Sequence, residues 1–474
     1  MKGGMCNLRW TICAATAVAL NALLSHAQGP TNTTYSGSLA TALLEGAQIT
    51  NDTVYPIDLP TTLRLAGARN LDIQIAREGL KEAQANRQSA VEQFFPWVAP
   101  GVGYHRRDGM AQAVPAGYVT NTHFQSYSAG ATLAAQVVLG DAIYHSLAAK
   151  QLVKASDQAL ETRRQDTILS AAQGYFDLVK AQALVEVDRQ AIRISQDYQQ
   201  ELHVAVTAGI AFKGDELRVQ TQTEQYRIVL QQKLEQQRVA AANLAQVLHL
   251  DSRVELVPVD AGVTAFRFFP TNASMNALVE QALRSRPELK QSQAFLAATR
   301  AAKNGAVYGP WIPSVGAQAF GGGLGGGADG APSNFGAEGD YLVGLSWRIG
   351  PGGLFDSGRI NASKARLAAA QFADSKLKDT IISQVVAGLV RVNSTAAQID
   401  LAARNLNTAS ETLQLTRQRK QFGVGIVLED IQAHQALTQA RSDYVTAVAE
   451  NEKAQYALSR ATGSVEEAQE YKQP

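Results

Sequence analysis

Apolar and polar positions follow two different periods along this chain. Tyr127, Ala129, Ala131, Leu133, Ala135 and Val137 alternate with Ser126, Ser128, Gly130, Thr132 and Gln136. The same period of two returns at Tyr341, Val343, Leu345, Trp347 and Ile349, set against Gly344, Ser346 and Arg348. It appears again at Trp311, Val315, Ala317 and Ala319, set against Ser314, Gly316 and Gln318. A weaker window, Trp97 to Arg106, puts Val98, Val102 and Tyr104 on one face. Alternation of this kind predicts strands with one apolar side, at about 97–107, 124–139, 311–320 and 340–350. Each window holds about nine to eleven residues, the length of a tilted strand across a bilayer. Residues 108–122 and 321–340, rich in Gly, Pro, Ala and Asn, are expected as long loops on one side.

Elsewhere the period is helical. Leu71, Ile75, Leu80 and Ala83 predict an amphipathic helix from Thr62 to about Glu92, with a counterpart from about Pro287 to Ala306. No proline lies between Pro115 and Pro258, or between Pro351 and Pro474. The fixed φ and missing donor that stop helices are therefore absent from both stretches. Gly209 and Gly214 bracket one turn, and Gly423-Val424-Gly425 marks the other. Long helices are predicted at about 141–208 and 353–422, each doubling back through a shorter one at about 213–250 and 428–462. The first would be roughly 100 Å long at about 1.5 Å per residue, several-fold longer than a typical globular helix. Small residues, as in Ala240-Ala241-Ala242-Asn243-Leu244-Ala245, permit close packing, and polar faces suit a wall wet on both sides.

The two stretches are copies of one unit. Phe94-Phe95-Pro96-Trp97-Val98 recurs as Tyr308-Gly309-Pro310-Trp311-Ile312 (310 − 96 = 214). Lys150 and Lys364, Gly209 and Gly423, and Arg227 and Arg441 keep that same offset. Upstream, Ala90-Val91 matches Ala306-Val307 (306 − 90 = 216). A constant offset across several elements signals an internal repeat with equal element lengths.

Composition narrows the class. Lys and Arg total 43 against 42 Asp and Glu, so no basic field argues for nucleic acid. Lys2 and Arg9 precede an apolar run from Trp10 to Leu24, followed by Ser25-His26-Ala27. That order reads as a secretory signal peptide over 1–27, too short for a spanning helix. Cys6 and Cys13 both fall inside it, so the exported chain is expected to lack disulfides and thiolate sites. After Leu24 no window of about 18 apolar residues occurs. An exported chain of this kind is either periplasmic or a β-barrel. Four strands cannot close a membrane barrel, whose smallest form has about eight, and open edges in lipid are prohibitively costly. Spanning strands would have to be pooled from several copies.

Chemistry is sparse. His26, His105, His123, His145, His203, His249 and His434 form no H-x-x-x-H pair. Gly321, Gly323 and Gly326 spell G-x-G-x-x-G, but in a glycine-rich loop with no helix opening behind it. Asp and Glu are scattered over helix faces, where solvated surface is the default reading. No enzyme, cofactor or metal is expected.

The last helical lane carries a resemblance. Arg419-Lys420-Gln421-Phe422-Gly423-Val424-Gly425 is followed by Leu428-Glu429-Asp430-Ile431-Gln432-Ala433, Leu437, Ala440-Arg441, Tyr444, Ala447, Ala454, Leu458 and Gly463. With the turn Gly350 to Arg359 and the strand starts at Pro96 and Pro310, the chain resembles the TolC-like outer-membrane efflux protein family over nearly all its mature length. The resemblance implies a mainly α chain with a small membrane β part, built as two helix–strand–strand–long helix–helix repeats. It implies a homotrimer whose twelve-stranded barrel in outer-membrane lipid continues into a periplasmic α-helical barrel. The implied layout is a signal peptide at 1–27, an N-terminal extension at 28–61 and a first repeat at 62–257. An equatorial connector at 258–285, a second repeat at 286–463 and a tail at 464–474 complete it.

The function implied is the passive exit duct of a tripartite efflux system for drugs, metals or other small molecules. Type I protein secretion and, in another class, a soluble periplasmic coiled-coil scaffold are the alternatives. The resemblance also implies docking of a periplasmic adaptor protein, linked to an inner-membrane pump, at two helical tips: Thr207, Ala208, Gly209, Ile210 and Ala211, and Gly423, Val424, Gly425, Ile426 and Val427. Some relatives close this end with acidic rings. Here Arg417 and Arg419 are basic, and Asp197 and Glu201 precede the first tip, so a closing network between these four is expected.

Overall fold

The computed structural model describes residues 54–112, 117–259, 268–269, 273–328, 335–421 and 426–464. The expected signal peptide, most of the N-terminal extension, much of the connector and nearly all of the tail lie outside them. A short β1 (Val54–Ile57) precedes α1 (Leu59–Arg69) and α2 (Leu71–Glu92). Then come β2 (Trp97–Gln112), β3 (Val119–Val138), α3 (Leu139–Thr207) and α4 (Lys213–Leu248). After β4 (Glu255–Pro258), which pairs with β1, the order repeats. The second set is α5 (Met275–Ser285), α6 (Pro287–Tyr308), β5 (Ser314–Ala328), β6 (Gly336–Ser346), α7 (Ser357–Gln421) and α8 (Val427–Thr462).

The helix expected from Thr62 to Glu92 is two helices, not one. Asn70 takes an extended ψ of 128°, and its side chain accepts from the amides of Asp72 and Ile73, capping α2. The Asn70 amide also donates to the Val247 carbonyl at 3.0 Å, so a tertiary contact fixes the break. Arg286, 216 residues on (286 − 70 = 216), separates α5 from α6 with a similar extended ψ of 125° but without a side-chain cap, and Pro287 occupies the first turn of α6.

The glycine-rich segments are mostly strand, not loop. β2 and β3 run to Gln112 and from Val119, and β5 and β6 leave only residues 329–335 between them. Glycine has no side chain with which to alternate, so Gly321–Gly327 hides its strand from a periodicity reading. Its use is close approach: a Cβ on Gly322 would lie 2.3 Å from the Ala129 carbonyl oxygen. At the other ends the strands stop short of the alternating windows. Trp311 sits in a 3₁₀ turn, with β5 starting only after Pro313, and Trp347 and Ile349 lie beyond β6. The chain there enters the turn before α7, where the Asp356 carboxylate accepts from the amides of Gly352 and Arg359, both at 2.9 Å.

α3 pairs with α4 as one long hairpin and α7 with α8 as another, and α8 also packs along α3. The two hairpins cross in equivalent ways. Gly174 meets Leu244, and Gly388 meets Leu458, each with an added Cβ 3.2 Å from the leucine Cδ1. Both residues of the pair shift by 214 (388 − 174 = 458 − 244). The apolar core lies at this level. Ile57, Leu59, Ile168, Tyr175, Leu178, Leu244, Leu248 and Leu256 form one cluster. Leu278, Leu289, Ile381, Val385 and Leu458 form its counterpart. Tyr456 joins the first cluster, with its ring 5.1 Å from Phe268 and 5.7 Å from Phe176.

Ion pairs stitch the hairpins together here. Arg460 of α8 pairs with Asp166 of α3 at 2.8 Å and with Glu288 of α6, which also receives Arg286 at 3.0 Å. About three helical turns away, Glu450 accepts Lys180 at 3.0 Å, Lys453 at 3.1 Å and Arg391 at 3.1 Å. Burial pushes the Glu288 carboxyl up, but Arg460 and Arg286 more than offset it and hold it below its ordinary value.

Candidate functional site

No helix among the described residues is long and apolar enough to cross a membrane. The strand order of the larger sheet is β2-β3-β5-β6, antiparallel throughout, with β2 and β6 as free edges among the described residues. Directly opposed residues share a face, so the register sorts every side chain. One face carries Val98, Pro100, Val102 and Tyr104 on β2, and Tyr127, Ala129, Ala131, Leu133, Ala135 and Val137 on β3. It continues through Val315, Ala317 and Ala319 on β5 to Leu345, Val343 and Tyr341 on β6. Val102 is 87% exposed and Val343 78%, so among the described residues the edge strands lie bare on this face, while Val137 at the helix end is buried. From Tyr127 to Val137 the band spans about 25 Å when tilted by about 40°, the height of a membrane barrel's apolar belt.

Aromatic rings bound the band. Tyr104 and Tyr127 stack at 5.6 Å on the upper side. Above them on the same face, Arg106, Asp108 and His123 form a closed set: Arg106 Nε donates to Asp108 Oδ2 at 2.8 Å, and His123 Nδ1 lies 2.9 Å from Asp108 Oδ1. At the helix side, Trp347 Nε1 donates to the Trp311 carbonyl at 3.3 Å. Amphipathic rings at both edges are what a bilayer interface favours. The opposite face holds Ser126, Ser128, Thr132, Gln136, Ser314, Gln318, Glu338 and Asp340, with Phe124, Phe320, Leu324 and Leu342 among them, so it is mixed but the more polar of the two.

The far end of the helices forms the second part of the site. α3 stops because Gly209 adopts φ +74°, with the amides of Gly209 and Ile210 donating to Val206 and Ala205 at 3.0 and 2.8 Å. Thr207, Ala208 and Gly209 are exposed there, and Ile210 is 82% exposed. Of the second tip, Gly423, Val424 and Gly425 lie outside the described residues, while Ile426 is exposed. Ala211 and Val427 are half-buried. They pack on Tyr198, Leu202, Val219 and Ile431, joining the two hairpins just behind their tips.

The four expected gate residues are all exposed. Within one chain Arg419 pairs with Glu429 at 3.0 Å, and Arg417 Nη2 lies 3.4 Å from His434 Nε2. Two clusters here escaped the sequence reading. The side chain of Glu216 is only 8% exposed and accepts from Lys213 at 2.6 Å, with His203 Nδ1 at 3.0 Å. Lys213 and His203 hold its carboxyl below the usual 4.5, so this clamp stabilises the first tip above that pH and is lost as acidity passes its lowered value. Buried Asp430 sits 4.0 Å from His434 and beside Tyr198, whose hydroxyl is pushed well up by burial and then by that carboxylate. The i,i+4 spacing of Asp430 and His434 was the one signal available in sequence.

The chain matches the outer membrane efflux protein family twice, over residues 62–248 and again over 278–464. No curated protein sequence matches it. Among solved structures it is similar to a membrane protein from Pseudomonas aeruginosa, with 19% identity and a TM-score of 0.73 over 85% of this chain and 93% of that one. It is similar to the CmeC outer membrane channel of Campylobacter jejuni, at 16% identity and a TM-score of 0.73 over 86% of each chain. The open MtrE outer membrane channel of Neisseria gonorrhoeae aligns at 16% identity and a TM-score of 0.67, covering 86% and 89%. At such identities these likenesses establish the fold.

Proposed function

Because the chain belongs to the outer membrane efflux protein family, we propose that three copies pool their sheets into one twelve-stranded barrel and act as the exit duct of a tripartite efflux system. The observation that carries this reading is the exposed apolar band of about 25 Å on a four-stranded sheet with two unpaired edges. Alone, such a sheet would leave a full row of backbone groups on each edge unsatisfied in lipid. Three copies give twelve strands, and each β6 finds a β2.

The helices follow as a periplasmic wall. CmeC and MtrE, both outer membrane channels, share this fold and support the reading. It is a channel and not an enzyme: the duct supplies no chemistry and no energy, so a periplasmic adaptor must couple it to an inner-membrane pump. The exposed residues Thr207, Ala208, Gly209, Ile210 and Ile426, with Gly423, Val424 and Gly425, are the docking surface proposed for that adaptor. Ala211 and Val427, half-buried where the two tips pack together, complete the proposed surface. Asp197, Glu201, Arg417 and Arg419 are proposed to narrow the pore at this end by pairing between neighbouring hairpins.

Purified protein added to a planar lipid bilayer should give stepwise, salt-dependent conductance. Replacing Arg417 and Arg419 together by alanine should raise the unitary step several-fold. Absence of steps argues against the duct, and an unchanged step in the double variant argues against the gate alone.

A further inference from the structure

The free edges of the sheet carry opposite charges on the same face. On the water-side face, β2 presents His105 and Arg107, while β6 presents Glu338 and Asp340. Arg107, Glu338 and Asp340 have no ion-pair partner within the described chain, and His105 makes only an edge contact with Phe124 at 5.8 Å. The charges on the lipid-side face behave differently, since Arg106, Asp108 and His123 satisfy one another within the chain. Acid on one open edge and base on the other, both unsatisfied, describe two halves of one contact.

We propose that these groups pair across each seam between copies, Glu338 and Asp340 of one copy against His105 and Arg107 of the next, and so fix the register in which the barrel closes. The inference rests on the three-copy barrel proposed above. Its geometry comes from the rungs of the sheet. Gly101, Gly130, Gly322 and Glu338 lie on one rung, and Ala99, Thr132, Phe320 and Asp340 on another.

In a flat sheet the next β2 would meet Glu338 through its own Gly101. That closure fails, because Ser346 would then face residue 93, four positions before β2 begins at Trp97. A barrel does not close flat. With strands about 4.8 Å apart, tilted about 40° and rising about 3.3 Å per residue, four strands shift the register by about five residues. Faces must match, so the shift is even, about four or six. A shift of four puts Glu338 opposite His105 and diagonal to Arg107. A shift of six puts Glu338 opposite Arg107 and Asp340 opposite His105. Either shift keeps all of β6 against β2, and both bring acid onto base within cross-strand reach. A register slip of one residue would turn the apolar band toward water, so the charges need only reject the remaining even slips.

The test introduces cysteine pairs into the full-length protein in its own membrane. Glu338→Cys is combined with Arg107→Cys, with His105→Cys, or with Gly101→Cys, and linked dimers and trimers are scored on a non-reducing gel after mild oxidation. A disulfide requires Cα atoms within about 7 Å, so only the true neighbour links. Linking through Arg107→Cys or His105→Cys is expected. Linking through Gly101→Cys alone, or through none while the protein still runs as a trimer, overturns the seam and leaves the three-copy reading standing. A monomeric wild-type protein removes both. Independently, Arg107→Glu should lower the temperature at which detergent-solubilised trimers dissociate, and adding Glu338→Arg should restore it. An equal loss in the single and the double variant contradicts the pairing.

Discussion

Replacing Arg460 by alanine should destabilise the junction of the two hairpins by about 3–5 kcal/mol, the usual cost of removing one partner from a buried ion set. Its side chain is only 5% exposed and bridges Asp166 of α3 and Glu288 of α6 from its place on α8. Alanine would leave Glu288, itself 18% exposed, with Arg286 alone. It would also open a cavity where the guanidinium lay. Arg460→Lys should recover only part of the loss, because an ammonium cannot reach two carboxylates with a planar fork. The loss would appear as a lower denaturant midpoint of the helical signal and faster protease cleavage near residues 275–288. An unchanged midpoint in Arg460→Ala would mean that the apolar clusters alone hold the hairpins.

Arg460 also marks how far the sequence reading reached. Long helices could be read because proline is absent and Gly209 offers the turn, and they span Leu139–Thr207 and Ser357–Gln421. The partners of Arg460 could not, because Asp166 and Glu288 lie far off in sequence and look like any surface carboxylate. Local signals failed at Asn70, where a hydrogen bond to Val247 fixes the break in the first helix. They failed again at Gly321–Gly327, where the strand is specified by what glycine lacks. At the tips, alternating charge gave no hint that Glu216 is buried under Lys213 and His203. The apolar alternation of β3 and β6 survived in sequence because one face meets a single kind of surroundings along its whole length.

The second large effect belongs to the sheet. Gly130→Val should abolish assembly, because an added Cβ would stand 2.5 Å from the Gly321 carbonyl oxygen and 2.8 Å from the Gly322 Cα. These are backbone atoms, which cannot swing aside as a side chain would. Gly322→Val meets the Ala129 carbonyl oxygen at 2.3 Å from the opposite side of the same rung and should fail alike. Gly316→Val is the control. It lies on the same face of β5, where nothing stands within 4 Å of the new Cβ, so trimers should form normally. Band positions on unheated denaturing gels would report all three. Normal trimers from Gly130→Val would mean that β3 and β5 are farther apart than the register implies.

A membrane barrel of such sheets exists only if copies share them, and counting the copies tests that directly. Native mass spectrometry of the full-length protein extracted in mild detergent should give a particle of three chains, stable until heated. A single chain that stays dispersed in buffer without detergent would contradict it.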